Sequence, residues 1–179
     1  MKQQSLGTYD NQWFDRGRPL WVEALWILAS AFVSSSIPGS ACRIWLLRKF
    51  KAKIADGVVV KPRVRVKFPW RLSVGANTWI GEGVWMDNLG EIKVGENTCI
   101  SQGVYICTGS HDWSKESFDL LVNPVVIGDG VWIGAFAKLA PGLIVGDRSV
   151  VTMGAVVADN VSEGLVFGGN PAKSLKSRY

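Results

Sequence analysis

The sequence predicts an all-β fold: a parallel β-helix assembled from hexapeptide repeats and preceded by a short helical region. Three observations predict it. Aliphatic residues recur at every sixth position from residue 54 onward, glycines directly follow many of them, and a helix-like spacing occupies the chain before residue 54. A six-residue step matches neither the 3.6-residue period of an α-helix nor the two-residue period of a strand. A short strand followed by a corner, repeated along the chain, produces it.

The aliphatic series are regular over long stretches. The longest runs without a break through Ile127, Ile133, Leu139, Val145, Val151 and Val157. Three shorter series have the same step: Ile54, Val60, Val66 and Leu72; Val74, Ile80 and Met86; and Val94, Ile100 and Ile106. We expect each of these side chains to point inward and to stack on its equivalent one coil away. A β-sandwich with coincidental spacing is the alternative.

The residues at the predicted corners support the coil. Glycine follows the inward aliphatic residue at Gly75, Gly81, Gly95, Gly128, Gly134 and Gly146. Two residues further on, the chain often has a residue that tolerates a positive φ, as at Asn77, Gly83, Asn97 and Gly130. Tight turns are therefore expected at these positions.

The six-residue step slips in three places. Two extra residues fall between Val66 and Val74, and two more between Met86 and Val94. A larger break between Ile106 and Ile127 leaves a loop of about residues 112–124. Insertions in solenoids emerge as loops on one face, which is often the functional face. We therefore expect a functional loop, with His111 at its start.

Residues 1–53 are predicted to form an N-terminal helical region, and residues 54–179 a β-helix domain with this loop and a C-terminal tail. Apolar residues at helical spacing predict a helix over Leu20–Val33, and a second short helix is expected over residues 41–50. Fourteen residues are too few to span a bilayer. We expect the first helix to cap the open end of the solenoid; an interfacial membrane helix is the alternative.

Basic residues are concentrated next to these helices. Residues 41–71 contain ten lysines and arginines against the single acid Asp56, a net charge of +9 in a chain whose total is +5. Such a block is either a solvated face or a surface that attracts an anionic membrane or a phosphate-bearing substrate. Nucleic acid is not an expected partner, because no binding motif accompanies the charge.

Composition restricts the classes of function. With 47% hydrophobic and 20% charged residues, the chain is globular. Cys42, Cys99 and Cys107 are odd in number and scattered, which indicates reduced thiols. Residues 1–18 are polar and show no signal peptide, so we expect a cytoplasmic location, with membrane association as an open alternative. A single histidine excludes any site that needs two or three imidazoles from one chain, and no metal is predicted.

Several segments carry a resemblance to a known family. The Val/Ile-Gly repeats resemble those of the hexapeptide acyltransferases. Within that family, three segments resemble the WcaF-type colanic acid and exopolysaccharide O-acetyltransferases: Trp79-Ile-Gly-Glu-Gly-Val-Trp-Met-Asp-Asn88, Thr108-Gly-Ser-His-Asp-Trp113 and Gly169-Asn-Pro-Ala-Lys173. The N-terminal Tyr9-Asp-Asn and the Trp-rich helix resemble that subgroup too, so the similarity covers nearly the whole chain.

This resemblance implies a left-handed parallel β-helix of about 18 residues per coil, assembled as a homotrimer with active sites between subunits. It implies acetyl-coenzyme A as donor and a hydroxyl, usually on a sugar, as acceptor. An acetyltransferase for an amino sugar or an amino acid, and a non-catalytic β-helix scaffold, are the alternatives. A γ-type carbonic anhydrase shares the coil but needs three histidine ligands, which this chain lacks.

The chemistry requires a base, because a hydroxyl is a poor nucleophile until its proton is removed. His111 matches the family's catalytic position. Asp87 and Asn88 match the acceptor-binding position, and corner capping is the equally weighted alternative. Asp112 is grouped with them; it orients the imidazole or opens the loop.

The resemblance also implies the coenzyme contacts. It places the amide of Ala135 at the oxyanion, Ala135 and Met153 beside the pantetheine arm, and Lys173 and Lys176 at the phosphates. The alternative for the two lysines is a frayed basic tail. The chain departs from several relatives in having Ala158-Asp159 where they carry Thr-Lys, which removes one cation near the nucleotide end.

Overall fold

A computed structural model describes residues 4–179 and contains two α-helices followed by a three-sided coil. Helix α1 spans Leu20–Val33, as predicted, and α2 spans Ser40–Lys49, one residue earlier than predicted at each end. Strands β1 to β19, numbered along the chain, begin at Lys53 and end at Ser177. The fold is the expected left-handed parallel β-helix with a short helical region before it.

The coil has three faces, each a parallel sheet. The first face contains β1 (Lys53–Ile54), β4 (Leu72–Val74), β7 (Ile92–Val94), β12 (Val125–Ile127) and β15 (Ile144–Val145). The second contains β2 (Val59–Val60), β5 (Trp79–Ile80), β8 (Cys99–Ile100), β13 (Trp132–Ile133), β16 (Val150–Val151) and β18 (Leu165–Gly169). The third contains β3 (Arg65–Val66), β6 (Trp85–Asp87), β9 (Tyr105–Cys107), β14 (Lys138–Leu139) and β17 (Val156–Val157).

The predicted aliphatic stacks form the core. Aligned residues such as Val60, Ile80, Ile100, Ile133 and Val151 pair in register along one face and are all buried. Leu72 departs slightly from its predicted place, because Val74 is the residue that pairs with Ile54, and Leu72 pairs with Ile92 instead. Close stacking of aliphatic side chains is the main source of stability in such a coil.

Register confirms the two slips. Partners lie 20 residues apart in the early coils, as for Lys53 and Ser73, and 18 apart directly after the loop, as for Val126 and Ile144. In the last coil, Val150 and Val166 are 16 residues apart, so the expected value of 18 holds only for the coil directly after the loop. Gly134 shows why glycine follows the inward residue: a Cβ there would lie 2.5 Å from the backbone nitrogen of Met153 in the next coil.

The helices cap the first coil, as the sequence predicts. One hydrogen bond reaches each face: the backbone N–H of Val60 donates to Ser40 Oγ (2.9 Å), Trp26 Nε1 donates to the carbonyl of Val66 (3.1 Å), and Arg48 Nε donates to the carbonyl of Ile54 (2.9 Å). These bonds pair strand edges that would otherwise be open.

Two predicted segments have more structure than expected. The loop of residues 112–124 belongs to a β-hairpin, in which β10 (Gly109–His111) pairs with β11 (Leu120–Val122), so only residues 112–119 form its tip. The C-terminal tail also contains regular structure, because β19 (Ala172–Ser177) pairs antiparallel with β18. Backbone pairing stabilises both segments, and the six-residue pattern gives no sign of it.

Candidate active site

His111 is the last residue of β10 and lies opposite Leu120 of β11. The hairpin grows out of the third face directly after β9, where Cys107 pairs with Asp87 of the preceding coil. The two strands hold the backbone of His111 in a fixed place while leaving its ring partly exposed. A side chain held this way is both positioned and accessible.

The imidazole is held on three sides. Its Nδ1 lies 2.9 Å from the backbone carbonyl oxygen of Phe118. The ring of Phe118 stacks on it with centroids 4.3 Å apart and planes only 4° from parallel. Tyr9, from the N-terminal segment, approaches edge-on at 5.4 Å. Because one residue supplies both the stacking ring and the carbonyl, Phe118 fixes the plane and the rotation of the imidazole.

Phe118 has a positive φ of 51°, which a bulky residue rarely adopts. Its N–H donates to the carbonyl of Lys115 (3.2 Å), which closes the hairpin tip as a turn. Backbone conformations of this kind persist where the surroundings impose them, and they cluster at functional sites. The turn is what brings the Phe118 carbonyl to the histidine.

The carboxylate of Asp112 forms its hydrogen bonds within the hairpin tip and not with the imidazole. Its carboxylate accepts hydrogen bonds from the backbone and side chain of Ser114 and lies 3.6 Å from Lys115 Nζ, while its N–H donates to the carbonyl of Asp119 (2.8 Å). Lys115 also pairs with Asp119 at 3.0 Å. Of the two roles predicted for Asp112, these contacts match opening and ordering of the loop.

The charged side chains at the hairpin tip stabilise one another's ionised forms. The hydrogen bond from Ser114 lowers the pKa of Asp112, and hydrogen bonds from Ser117 and Lys115 lower the pKa of Asp119. The pKa of Lys115 is raised by the same partners, Asp119 first. An ionised carboxylate with a lowered pKa stabilises the fold until the pH falls through that lowered pKa, where the group is protonated. The tip therefore stays ionised throughout the neutral range.

Asp87 lies on the third face at the base of the hairpin. Its carboxylate accepts from Lys67 Nζ (3.1 Å) and from the hydroxyl of Tyr105 (3.1 Å). Burial, followed by hydrogen bonding to Cys107 and the charge of Asp87, raises the pKa of Tyr105. The phenol therefore remains a proton donor beside an anionic acceptor, an arrangement suited to a polar ligand.

Asn88 is fully buried, and all its hydrogen bonds go to the backbone. Its Oδ1 accepts from the amides of Lys67 and Phe68 at 3.0 Å, and its Nδ2 donates to the carbonyl of Phe68. These hydrogen bonds match the alternative role of Asn88, corner capping. The side chain stabilises the backbone where two extra residues are inserted between coils.

Ala135 and Met153 border one groove on the second face, in adjacent coils. The groove has a volume of about 400 Å³ and is lined largely by apolar atoms, including those of Trp132 and Val150. Within residues 4–179, neither the amide of Ala135 nor that of Met153 donates a hydrogen bond, while Gly154 N–H donates to the Ala135 carbonyl (2.8 Å). Free amides beside an apolar wall suit an extended, amide-containing ligand.

Lys173 and Lys176 lie on β19, so they belong to a strand and not to a frayed tail. Lys173 Nζ is 3.1 Å from the carboxylate of Asp159. Several relatives carry Thr-Lys where this chain has Ala158-Asp159. The difference removes one cation, and it also places the carboxylate of Asp159 beside Lys173, which is predicted to bind phosphate. Both side chains are exposed, so this pair is weak.

The structure brings together His111, Phe118 and Tyr9 at one place, and Ala135 with Met153 at another. No hydrogen bond or ring contact within the described chain joins His111 to the groove of Ala135 and Met153. Sequence reasoning missed Phe118 and Tyr105. The contact from Phe118 is made by a backbone carbonyl, which no residue type signals. Tyr105 could have been predicted, because the coil repeat places it beside Trp85 of the preceding coil.

Neither a metal centre nor a membrane-spanning helix is found in residues 4–179. In this part of the chain, no cluster of three or more histidine, cysteine, aspartate or glutamate side chains is arranged to hold a metal ion. No helix in the same range has the length and apolar character required to cross a membrane.

Comparison with known proteins agrees with this arrangement. Residues 124–159 match the family model described as bacterial transferase hexapeptide (six repeats). An Escherichia coli (strain K12) protein, whose name assigns it to colanic acid biosynthesis as the acetyltransferase WcaF, is 37% identical over 166 residues, covering 92% of this chain and 91% of its own. With that identity over nearly the full length, and with the coil described above, the chain belongs to the hexapeptide-repeat acyltransferases.

Solved structures share the fold. A hexapeptide-repeat acetyltransferase from Vibrio cholerae, in complex with acetyl-coenzyme A, superposes with a TM-score of 0.80 at 25% identity, covering 88% of this chain and 87% of that one. A galactoside acetyltransferase in complex with coenzyme A superposes with a TM-score of 0.81, covering 89% and 82%. Its identity is 19%, so it supports the fold alone.

Proposed function

We propose that this chain transfers an acetyl group from acetyl-coenzyme A to a saccharide hydroxyl in exopolysaccharide or cell-surface glycan biosynthesis. The similarity to the WcaF relative supports the glycan as acceptor. The observation that carries the chemistry is the 2.9 Å contact between His111 Nδ1 and the Phe118 carbonyl.

That contact sets the tautomer of His111. A carbonyl oxygen only accepts hydrogen bonds, so Nδ1 must carry a proton to bond with it. In the neutral ring, the lone pair then lies on Nε2, which makes Nε2 the atom that takes a proton from the acceptor. We assign the general base to Nε2 of His111.

The reaction then needs no other covalent participant. The acceptor oxygen attacks the thioester carbonyl as Nε2 removes its proton, and a C–O bond forms. The tetrahedral intermediate collapses with cleavage of the C–S bond, and the imidazolium returns the proton to the departing thiolate. We assign the stabilisation of the intermediate oxyanion to the N–H of Ala135, whose amide donates no bond within the described chain.

The groove of Ala135 and Met153 fits the coenzyme. Its apolar lining suits the alkyl parts of the pantetheine arm, and the free amides suit the arm's carbonyls. Lys173 and Lys176 are assigned to the phosphates, with Lys173 weakened by Asp159.

On the acceptor side, we assign direct contact to Asp87, whose carboxylate faces Lys67 and Tyr105. A carboxylate accepts hydrogen bonds from sugar hydroxyls. Asn88 acts indirectly by holding the backbone beside it, and Asp112 acts by ordering the hairpin tip.

We further propose that the enzyme is a cytoplasmic homotrimer with its sites between subunits. Large apolar side chains are exposed on the second face, among them Trp79 and Trp132, and an exposed apolar face of this kind is typical of an interface. A neighbouring subunit would bring its groove to His111, which within one chain lies apart from it. The unpaired Cys42, Cys99 and Cys107 suit a reducing compartment.

Replacement of His111 by Ala tests the proposal. We expect the rate of thiol release with a saccharide acceptor to fall by about 10²–10⁴. Because the ring packs on the hairpin and outside the coil core, the fold should remain, as circular dichroism can verify. The acceptor itself is found by measuring thiol release across a panel of saccharides.

Asp112→Asn is the matched control, since it alters the neighbouring residue without touching the ring. We expect its rate to stay within about tenfold of the parent, because the ion pair it weakens is exposed. A His111→Ala enzyme that retains full activity would refute the assignment of the base. A loss with Asp112→Asn as large as with His111→Ala would instead make Asp112 part of the catalytic machinery.

A further inference from the structure

Helix α1 presents its apolar side to the outside. Seven of its residues are exposed, and every one is apolar: Leu20, Trp21, Ala24, Leu25, Ile27, Leu28 and Ala31. Leu20 and Leu28 are 72% and 74% exposed. A helix packed on a soluble domain normally shows the reverse distribution, with polar residues outward. The outer side of α1 therefore forms an unusually apolar surface, which we call the α1 face.

The one charged residue of α1 points the other way. Glu23 is 7% exposed and receives two hydrogen bonds of 2.6 Å from the guanidinium of Arg16. Trp26 and Val33 accompany it on the inner side, where Trp26 bonds to the first coil. The helix is thus anchored by its inner side, and the cap does not require the outer residues.

Basic side chains border the α1 face. Arg18, Lys49 and Lys51 line a groove of about 450 Å³ together with Trp21 and Leu25. All three are exposed, and none forms an ion pair within residues 4–179. An apolar strip beside unpaired cations matches the two layers of an anionic bilayer surface, in which acyl chains lie under phosphate headgroups.

We propose that the α1 face docks on the surface of an anionic lipid bilayer, with α1 lying in the plane of the membrane and Arg18, Lys49 and Lys51 at the phosphates. Fourteen residues are too few to span a bilayer, so a helix of this length that binds the membrane lies along its surface. Trp21, beside the cations, is suited to the headgroup boundary. A second copy of the chain fits less well, because a symmetric contact would set the basic rims against each other.

Vesicle flotation with the full chain tests this inference. We expect binding to phosphatidylcholine vesicles that contain about a quarter phosphatidylglycerol, and at least about tenfold weaker binding to pure phosphatidylcholine. Raising NaCl from about 50 mM to about 500 mM should release most of the bound protein, because the attraction to headgroups is screened.

Two variants separate the two parts of the surface. Leu28→Asp should lower the partition onto anionic vesicles by about tenfold or more, because it places a charge in the inserted strip. The double variant Lys49→Gln, Lys51→Gln should lower it by roughly tenfold. The matched control Lys93→Gln, Lys138→Gln removes two cations from the coil and should bind as the parent does.

Leu28→Asp should keep its thiol-release activity on a soluble acceptor, since the α1 face lies outside the site. Absence of binding to anionic vesicles, or equal binding to neutral ones, would overturn the inference. So would a Leu28→Asp protein that binds vesicles normally. If the parent does not bind vesicles and Leu28→Asp lowers the mass of the assembly in light scattering, the α1 face is an interface between copies of the chain. The vesicle-binding and light-scattering outcomes do not depend on the proposed acetyl transfer.

Discussion

A neutral carbonyl, and not a carboxylate, holds the histidine of this enzyme. The carbonyl of Phe118 fixes the tautomer of His111 without adding a negative charge beside the ring. The acids nearby, Asp112 and Asp119, are instead engaged with Ser114 and Lys115. The hairpin thereby separates two tasks: its turn positions His111, the proposed base, and its charged tip keeps the turn closed.

Asp159 provides a single-residue test of the coenzyme end. Asp159→Asn removes the anion that lies 3.1 Å from Lys173 Nζ and frees this lysine for a phosphate. We expect the KM for acetyl-coenzyme A to fall by about two- to fivefold at low salt, the range of an exposed ion pair, with kcat unchanged. Steady-state kinetics of thiol release measures both values.

Two controls accompany this variant. Glu91→Gln removes a similar exposed anion, one paired with Lys93, and should leave the KM unchanged. A donor that lacks the nucleotide, such as acetyl-pantetheine, should not distinguish Asp159→Asn from the parent. An unchanged KM for acetyl-coenzyme A would show that Lys173 does not contact the phosphates.

Among the elements, the helical cap depends on one buried guanidinium. Arg43 of α2 is fully buried and donates to the carbonyls of Val33, Gly39, Ser35 and Ile37, which surround the end of α1 and its connection to α2. Within residues 4–179, the carbonyls of Val33 and Ile37 accept no other hydrogen bond, so Arg43 is their donor where α1 ends. One side chain thus joins the two helices that close the first coil.

Replacing Arg43 should therefore destabilise the cap strongly. We expect Arg43→Ala to lower the free energy of unfolding by about 3 kcal/mol or more, because a large, fully buried side chain leaves a cavity and the carbonyls of Val33 and Ile37 lose their donor. Arg43→Lys should recover little, since an ammonium cannot reproduce the forked geometry. Thermal or urea denaturation measures the change.

Arg48→Ala is the comparison for Arg43, because Arg48 is half-exposed and also binds backbone carbonyls. Its cost should be clearly smaller. If Arg43→Ala unfolds at the same denaturant concentration as the parent, the cap does not rely on this side chain.

For the whole molecule, the geometry of the coil supports the proposed site between subunits. His111 on its hairpin and the groove on the second face belong to different sides of one prism, so a neighbouring subunit is needed to bring the proposed base to the proposed coenzyme groove. A trimer with its threefold axis parallel to the axis of the β-helix would have three equivalent clefts, each with His111 from one subunit and the groove from its neighbour.

The proposed trimer predicts the molecular mass in solution and a substitution that lowers it. Light scattering should give the mass of three copies of the 19.6 kDa chain. Trp79→Glu, on the exposed second face, should lower that mass and reduce kcat, because the subunits then no longer complete one another's sites. Trp45→Glu, an equally exposed tryptophan on the cap, should leave both unchanged. A Trp79→Glu enzyme that stays trimeric would place the interface elsewhere.

Much of the fold could be read from the residues because the repeat is local. Each inward residue, such as Ile133, meets the residue at the same place in the next coil, so a six-residue step specifies the contact. The positive φ values of Asn77 and Asn97 follow from their place in the corner. The hairpin and the terminal strand pair were not foreseen, because their pairing depends on turn geometry and not on the repeat.

The order of residues alone predicts the coil, the bounds of α1, the cap, and the position of the only histidine beside an insertion. Packing in three dimensions determines which groups contact that histidine, since the Phe118 carbonyl arrives through a turn of positive φ and has no side-chain signature. It also decided that Asn88 faces inward and that α1 turns its apolar side outward. Repetition encodes stacking along the chain, whereas orientation at a site depends on how separate segments meet in space.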